Sequence, residues 1–336
     1  MSKHSNKDGV TLKDIAEAVG KSVAAVSRAL NNHEDISTET REHIKRVARE
    51  MGYAPSDTLG FIIPSLSPRS ADPYFSELLA GITHEAAERG FDLLVSTSAP
   101  GPEENYAYLR LINSRRVDGM IVARPRWRDE RIEMLKQKKF PFIVIGATNL
   151  QGEFLTVSED SVAGARLVVE HLAGQGHQRI ALVNTPNELF FSSDFLAGFH
   201  EGMQQAGLNV NPDYIQTSEL SQKDGYRVAQ TLLSKPEAPT AIIAADDIVA
   251  LGVMAAIQDQ GLEVGSDVVV TGYGDILLTE YSQPPLTTVH RPAYQLGQQA
   301  CRMLMAQVRG ESLEQDNVVF TPSLVIRQSS DLALWL

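Results

Sequence analysis

The 336-residue sequence has a single cysteine, Cys301. A lone thiol excludes an intramolecular disulfide and a thiolate metal cluster. Cys301 falls in "YQLGQQACRMLMAQV", whose apolar spacing is helical, so a buried small hydrophobe is weighed there against a reactive thiol. No stretch approaches the ~20 apolar residues that a membrane span needs. The opening "MSKHSNKDGV" is polar and has none of the apolar run of a secretion signal. These absences lead us to expect a cytoplasmic protein with no membrane partner. The sequence also lacks a P-loop, a G-x-G-x-x-G opening a helix and a metal-spaced His/Cys cluster. No cofactor or metal is therefore expected, and no enzyme. Asp246 and Asp247 are adjacent carboxylates that need not converge on one bond.

Basic charge is scarce overall, with 30 Lys/Arg against 42 Asp/Glu, but the deficit is uneven. Residues 1–57 carry nine of each and are neutral, so the remaining 21 basic and 33 acidic residues hold the whole −12. Repulsion from nucleic acid belongs to the second part, and the first can approach phosphate. The length suggests two or three domains.

The first part reads as three short helices. In "VTLKDIAEAVG", Thr11 and Asp14 have capping-box spacing, and Gly20 suits a left-handed helix end. Ser22 can cap a second helix carrying Val23, Val26 and Leu30. Two helices joined by so short a turn form a helix-turn-helix. A third helix follows in "DISTETREHIKRVAREMGY", capped by Ser37. In such a unit the start of the second helix enters the major groove. Val23, Ala24 and Ala25 are small enough for close approach, and their methyl groups suit thymine. Arg28 can reach guanine or phosphate, while Thr11, Ser22, Ser27 and Asn31 suit the DNA backbone. Caps and apolar stripes alone would equally fit a plain three-helix bundle.

The wording decides further. "VTLKDIAEAVGKSVAAVSRALNNHEDISTETREHIKRVAREMGY" resembles the headpiece of the lactose/galactose-repressor family, with Ala25 where threonine is common. The resemblance implies that Val23, Ala24 and Arg28 read bases. It also implies a hinge helix of about a dozen residues after "GYxP", whose leucine wedges into the minor groove. Here "GYAPS" runs straight into "DTLGFIIPS". Either the protein lacks that hinge or the chain as read omits a segment.

Residues 58–336 alternate short apolar strands with amphipathic helices, twice over. Strand candidates are "LGFIIPS", "FDLLVSTS", "GMIVAR", "FIVIGAT", "RIALVNT", "YIQTS", "AIIAADD" and "DVVVTGYG". Continuous apolar strands between helices indicate parallel sheets covered on both faces. The expected fold is an α-helical headpiece, 1–57, followed by an α/β core of two doubly wound parallel-sheet subdomains. The core also resembles the same family, whose core is periplasmic-binding-protein-like, through "EHLAGQGHQRIALV", "AIIAADDIVALGVMAAI" and "PPLTTVHRPAYQLGQQA". That implies three crossings, near residues 150, 285 and 315. One subdomain would take about 58–150 and 288–312, the other about 151–287 and 313–330.

Ligands of open parallel sheets sit outside the C-terminal ends of the strands. That rule nominates Asp72, Tyr74, Phe75, Arg124, Trp127, Phe191, Phe195, Asp246, Asp247, Asp275 and Arg291. Carboxylates and arginines would grip sugar hydroxyls, and aromatics would cover the sugar's C–H face. Trp127 could instead pack on the surface, Phe191 and Phe195 could be core, and Asp247 could cap a helix. Against the family pattern, Phe195 replaces an arginine, Gly274 an aspartate and Asp246 an asparagine, while Arg291 stands where a neutral residue is usual. The wording of the core resembles regulators of α-glucoside use, and no dense Arg/Lys cluster suggests a phosphosugar.

The expected function is a transcription repressor that binds double-stranded operator DNA as a homodimer or higher oligomer, controlled by a carbohydrate effector. The rival expectations are a cytoplasmic sugar sensor with impaired operator binding, a transport protein, or an enzyme on the same fold. The apolar tail "DLALWL" is either a dimer contact or a frayed end.

Overall fold

The computed structural model describes residues 10–30, 35–51, 56–64 and 72–331. The headpiece contains α1 (Leu12–Val19), α2 (Val23–Leu30) and α3 (Thr38–Glu50). Thr11 closes the capping box: its hydroxyl accepts from the Asp14 amide, and the Asp14 carboxylate accepts from the Thr11 amide at 2.6 Å. Gly20 ends α1 with φ of 63°. Ile15, Ala16, Val26, Ala29, Ile44 and Ala48 close a small core among the three helices. The "DLALWL" tail beyond Asp331 and the "GYAP" junction lie outside the described residues, as does Asn31.

The core holds two six-stranded sheets. Through the first subdomain run β1 (Thr58–Pro64), α4 (Pro73–Glu88), β2 (Asp92–Ser98), α5 (Pro102–Asn113), β3 (Gly119–Ala123), α6 (Glu130–Lys138), β4 (Phe142–Ile145) and β5 (Leu155–Glu159). The second follows with α7 (Ser161–Gly174), β6 (Ile180–Asn184), α8 (Phe190–Gln205), β7 (Ile215–Thr217), α9 (Gln222–Leu233), β8 (Ala241–Ala244), α10 (Asp247–Asp259), β9 (Val269–Gly274), α11 (Leu278–Tyr281) and β10 (Thr287–His290). Then come α12 (Ala293–Arg309), β11 (Asn317–Phe320) and β12 (Ser323–Val325). Strand order is β11-β5-β4-β3-β1-β2 in the first sheet and β12-β10-β9-β8-β6-β7 in the second. All pairings are parallel except β10 with β12. Strands β3, β4 and β8 are buried at every residue, as helices on both faces require.

The chain crosses later than expected. Residues 155–159 stay in the first sheet, pairing Ile143 with Leu155, so the first crossing follows Glu159 rather than residue 150. β5 escapes a search for apolar runs because Thr156, Ser158 and Glu159 interrupt it. The second crossing follows His290, because β10 is held in the second sheet beside β9. Of the two elements in residues 288–312, β10 and α12, only α12 returns to the first subdomain. β11 joins β5 there, so of "VVFTPSLVIRQS" only β12 completes the second sheet. The return is tight. A side chain at Gly297 of α12 would strike the Leu78 carbonyl of α4, and one at Gly81 of α4 would strike the Tyr294 carbonyl. Cys301 is fully buried in α12, and burial pushes its thiol up to about 12, which suits packing rather than reactivity.

Candidate nucleic-acid interface and ligand cleft

Ser22 caps α2 by accepting from the Ala25 amide at 3.1 Å. Val23 and Ala24 of the first helical turn are exposed and Ala25 is half-buried, so small side chains face outward where close approach matters. Arg28 lies across the same helix. Its Nε donates to the Ala24 carbonyl at 3.4 Å and its Nη1 pairs with Asp35 at 2.5 Å. The Thr11 hydroxyl is committed to its cap, donating to Asp14 at 2.7 Å. That leaves it less free for phosphate than the sequence suggests.

Ser27 is different. It is buried, and its hydroxyl donates to the Val308 carbonyl at the end of α12 at 3.0 Å. A Cβ placed on Gly310 would lie 3.3 Å from the Ser27 Cβ and 3.5 Å from the Ala24 Cα. On the other side, Arg115 Nη1 donates to the Val10 carbonyl at 2.7 Å. The headpiece is thus docked on the core through the helix nominated to read DNA.

The cleft lies where the two sheets present their strand ends to each other. A small cavity, open to solvent, is lined by Tyr74, Arg124, Glu159, Phe191, Asp246 and Arg291 among others. Asp72 caps α4 at the Tyr74 amide and pairs with Arg124 at 2.5 Å. Arg291, at the second crossing, pairs with Glu159, at the first, at 2.6 Å. Its guanidinium lies 4.3 Å from the Tyr74 ring centroid and 5.2 Å from that of Phe191. One cation is therefore in contact with aromatics of both subdomains. Burial pushes the Tyr74 hydroxyl up to about 12, with Arg291 opposing. Asp246 caps α10 through the Ile248 amide at 2.9 Å. Burial, then the Asp72 charge, raises its carboxyl to about 6.

Four buried polar atoms around this region have no hydrogen-bond partner among the described residues: Glu159 Oε2, Thr185 Oγ1, Tyr273 OH and Arg291 Nε. Left unpaired, such atoms cost about 1–3 kcal/mol each, and water or a polar ligand can pair them.

A backbone strap spans the mouth of the cleft. Arg126 and Leu189 form an isolated antiparallel bridge. The Trp127 amide donates to the Glu188 carbonyl, and the Phe190 amide to the Pro125 carbonyl, each at 3.0 Å. Trp127 is exposed and meets Phe190 edge to face with centroids 4.9 Å apart. The strap is anchored beneath by Arg126 on Glu104 at 2.7 Å and by the fully buried Arg131, which holds Glu104 and Asp129.

Several nominated residues lie elsewhere. Phe195 is fully buried one turn along α8, inside the second sheet's core. Phe75 is buried behind Tyr74, with the Arg124 guanidinium 4.8 Å from its centroid. Asp275 is turned to Arg327 at 2.7 Å and His290 at 3.0 Å. Asp247 neither caps α10 nor lines the main cavity. It accepts from the Thr288 hydroxyl at 2.6 Å and the Ile276 amide at 3.0 Å, and its burial raises its carboxyl to about 7. Glu159, Thr185, Ser161 and Leu189 line the cavity without having been nominated. The strand-end rule would have found Glu159 had β5 been recognised as a strand.

No described helix is long and apolar enough to cross a membrane. Residues 11–56 match the description "Bacterial regulatory proteins, lacI family", and residues 169–330 match "Periplasmic binding protein-like domain". The HTH-type transcriptional repressor CytR of Escherichia coli (strain K12) is 32% identical, over 95% of this chain and 96% of the relative. A transcriptional regulator CelR–cellobiose complex superposes with a TM-score of 0.77 at 27% identity, covering 96% of this chain and all of the other. The lac repressor dimer bound to operator and the anti-inducer ONPF gives 0.72 at 29% identity, covering 96% and 99%. With a headpiece, a two-sheet core and a full-length relative at this identity, the chain belongs to the lacI family of bacterial regulatory proteins.

Proposed function

We propose that the protein is an intracellular transcription repressor that binds operator DNA as a homodimer and is controlled by a neutral polyhydroxylated effector in the cleft. The observation that carries this reading is the charge balance of an aromatic-lined cavity joined to a helix-turn-helix headpiece. Arg124 and Arg291 are already neutralised by Asp72 and Glu159. Asp246 adds a further carboxylate, so among the described lining residues no cation is left over for a phosphate or carboxylate. Hydroxyls, which both donate and accept, match Glu159 Oε2, Thr185 Oγ1 and Arg291 Nε.

The relatives support this reading. One solved neighbour holds cellobiose, a neutral disaccharide, and CytR carries the name repressor. Resemblance to α-glucoside regulators makes α-linked disaccharides the first compounds to try. A sensor without operator binding is not favoured, because the match to CytR runs through the headpiece as well as the core. In the dimer each headpiece reads one half of a near-palindromic site. Effector shifts the population of DNA-competent dimers through its different affinity for the two states.

The test is binding of the purified protein to DNA upstream of its own gene, titrated with a panel of neutral sugars and their phosphates. Specific binding released by one neutral sugar, and weakened at least tenfold by Arg28→Ala, is the expected result. Release by a phosphosugar alone, or unchanged binding in the Arg28→Ala protein, contradicts it.

A further inference from the structure

The end of the first subdomain that receives the headpiece carries exposed positive charge in a chain whose net charge is −12. Arg115 and Arg116 stand in the loop between α5 and β3, Lys138 ends α6, and Lys139 opens the loop between α6 and β4. β3 and β4 are neighbours in the sheet, paired from Met120 and Phe142 onward, so the two loops share one end of it. All four side chains are exposed, and none forms an ion pair among the described residues. Acidic groups lie nearby as well, with Asp14 in electrostatic reach of Arg115 and Asp57 of Asp118. Asp118 accepts from Ser56 Oγ at 2.9 Å, and Glu133 is paired with Lys136 at 3.1 Å.

Favourable charge at helix C-termini explains Lys138, the last residue of α6. It does not explain the backbone of the other loop positions. Arg115 has φ of 54° and Lys139 has φ of 52°, left-handed conformations that glycine adopts at lower cost. Both sites keep a long cation where a bare turn would favour glycine or asparagine.

The location supplies the partner. Ser56 is hydrogen-bonded to Asp118, directly between Arg116 and β3, so the chain from the headpiece enters the core at this cluster. Four residues separate Met51 from Ser56, and at ~3.3–3.6 Å per residue they reach at most about 18 Å. A headpiece seated in the major groove therefore holds this end of the core beside the same duplex. In the docked state Arg115 also holds the headpiece at the Val10 carbonyl.

We infer that Arg115, Arg116, Lys138 and Lys139 form a second DNA surface, on the core, that contacts backbone phosphates flanking the operator. This inference rests on the DNA-binding reading above. Such contacts add affinity and salt dependence without sequence information.

The experiment compares intact wild-type protein with Arg116→Gln/Lys138→Gln/Lys139→Gln and with a control, Arg166→Gln/Lys223→Gln/Lys235→Gln, which removes equal charge from the second subdomain. Arg115 is left intact because it also holds the headpiece. Affinities for operator and for a random duplex are measured from about 50 to 200 mM salt. The first triple variant is expected to lose affinity for both DNAs by a similar factor, roughly tenfold or more at 150 mM. Its salt slope should fall by about 0.9 for each phosphate contact removed. Sugar binding should be unchanged in both variants. A salt slope equal to the control's overturns the inference, as does a loss confined to the operator. Wild-type protein with no preference for its operator overturns the functional reading instead, and this inference with it.

Discussion

Ser27 of α2 donates its hydroxyl to the Val308 carbonyl of α12 across 3.0 Å, which joins the DNA-reading helix to the sensor core. The same helix cannot lie against α12 and in a major groove at once. Binding DNA therefore requires the headpiece to leave the core. A Cβ at Gly310 would lie 3.3 Å from that of Ser27, close to the separation that a disulfide spans.

Ser27→Cys/Gly310→Cys should therefore trap the docked state. Under oxidation we expect an intrachain crosslink, seen as a monomer of altered mobility on non-reducing gels, and loss of operator binding. Reduction of the same sample should restore it, so the substitutions themselves are controlled. Operator DNA added before oxidant should slow crosslinking. A crosslinked protein that binds operator as well as its reduced form would show that docking is irrelevant to DNA binding.

Arg291 and Glu159 are a buried pair whose partners cannot be removed singly at low cost. Glu159 is only 3% exposed in its side chain and Arg291 13%. Arg291→Met should destabilise by about 3–5 kcal/mol, because it strands a buried carboxylate. Glu159→Gln/Arg291→Met should recover more than half of that loss. Urea denaturation of the single and double variants reads both numbers. A double variant no more stable than Arg291→Met would show that stacking on Tyr74 and Phe191, rather than the ion pair, holds the crossing together.

The cleft also gives the protein a pH dependence of definite sign. The Asp246 carboxyl titrates near 6 in the folded chain, above its unfolded value of about 3.9. Its contribution to stability is thus fully present below about pH 4 and lost as pH rises through 6. Asp247, near 7, acts in the same direction. Asp246→Asn keeps an oxygen for the α10 cap and removes one titration. Its Tm should exceed that of wild type at pH 8, with the advantage shrinking by pH 5. An equal Tm difference at both pH values would remove Asp246 as a source of the dependence.

Much of this was legible in the residues. Thr11 and Asp14 announce a helix start because a capping box spans only four positions and needs two side-chain types. Strands such as "GMIVA" announce themselves because both faces are covered by helices. β5 did not, since its hydroxyls and Glu159 look like loop chemistry until parallel neighbours flank them. Arg291 was nominated from its place after "TTVH", but its partner was not, because the two crossings that bring it to Glu159 are far apart in sequence. The docking of Ser27 has no local signature at all. It depends on where α12 ends, about 280 residues away.

The interleaved strands set an order of birth during synthesis. Each sheet waits for one of the last strands, β11 at Asn317–Phe320 and β12 at Ser323–Val325, whereas the headpiece is contiguous and complete by Glu50. At ~5–20 residues per second, the ribosome needs roughly 14–55 seconds to make the intervening chain. For that interval each nascent polypeptide carries a finished DNA-reading unit and no finished sensor.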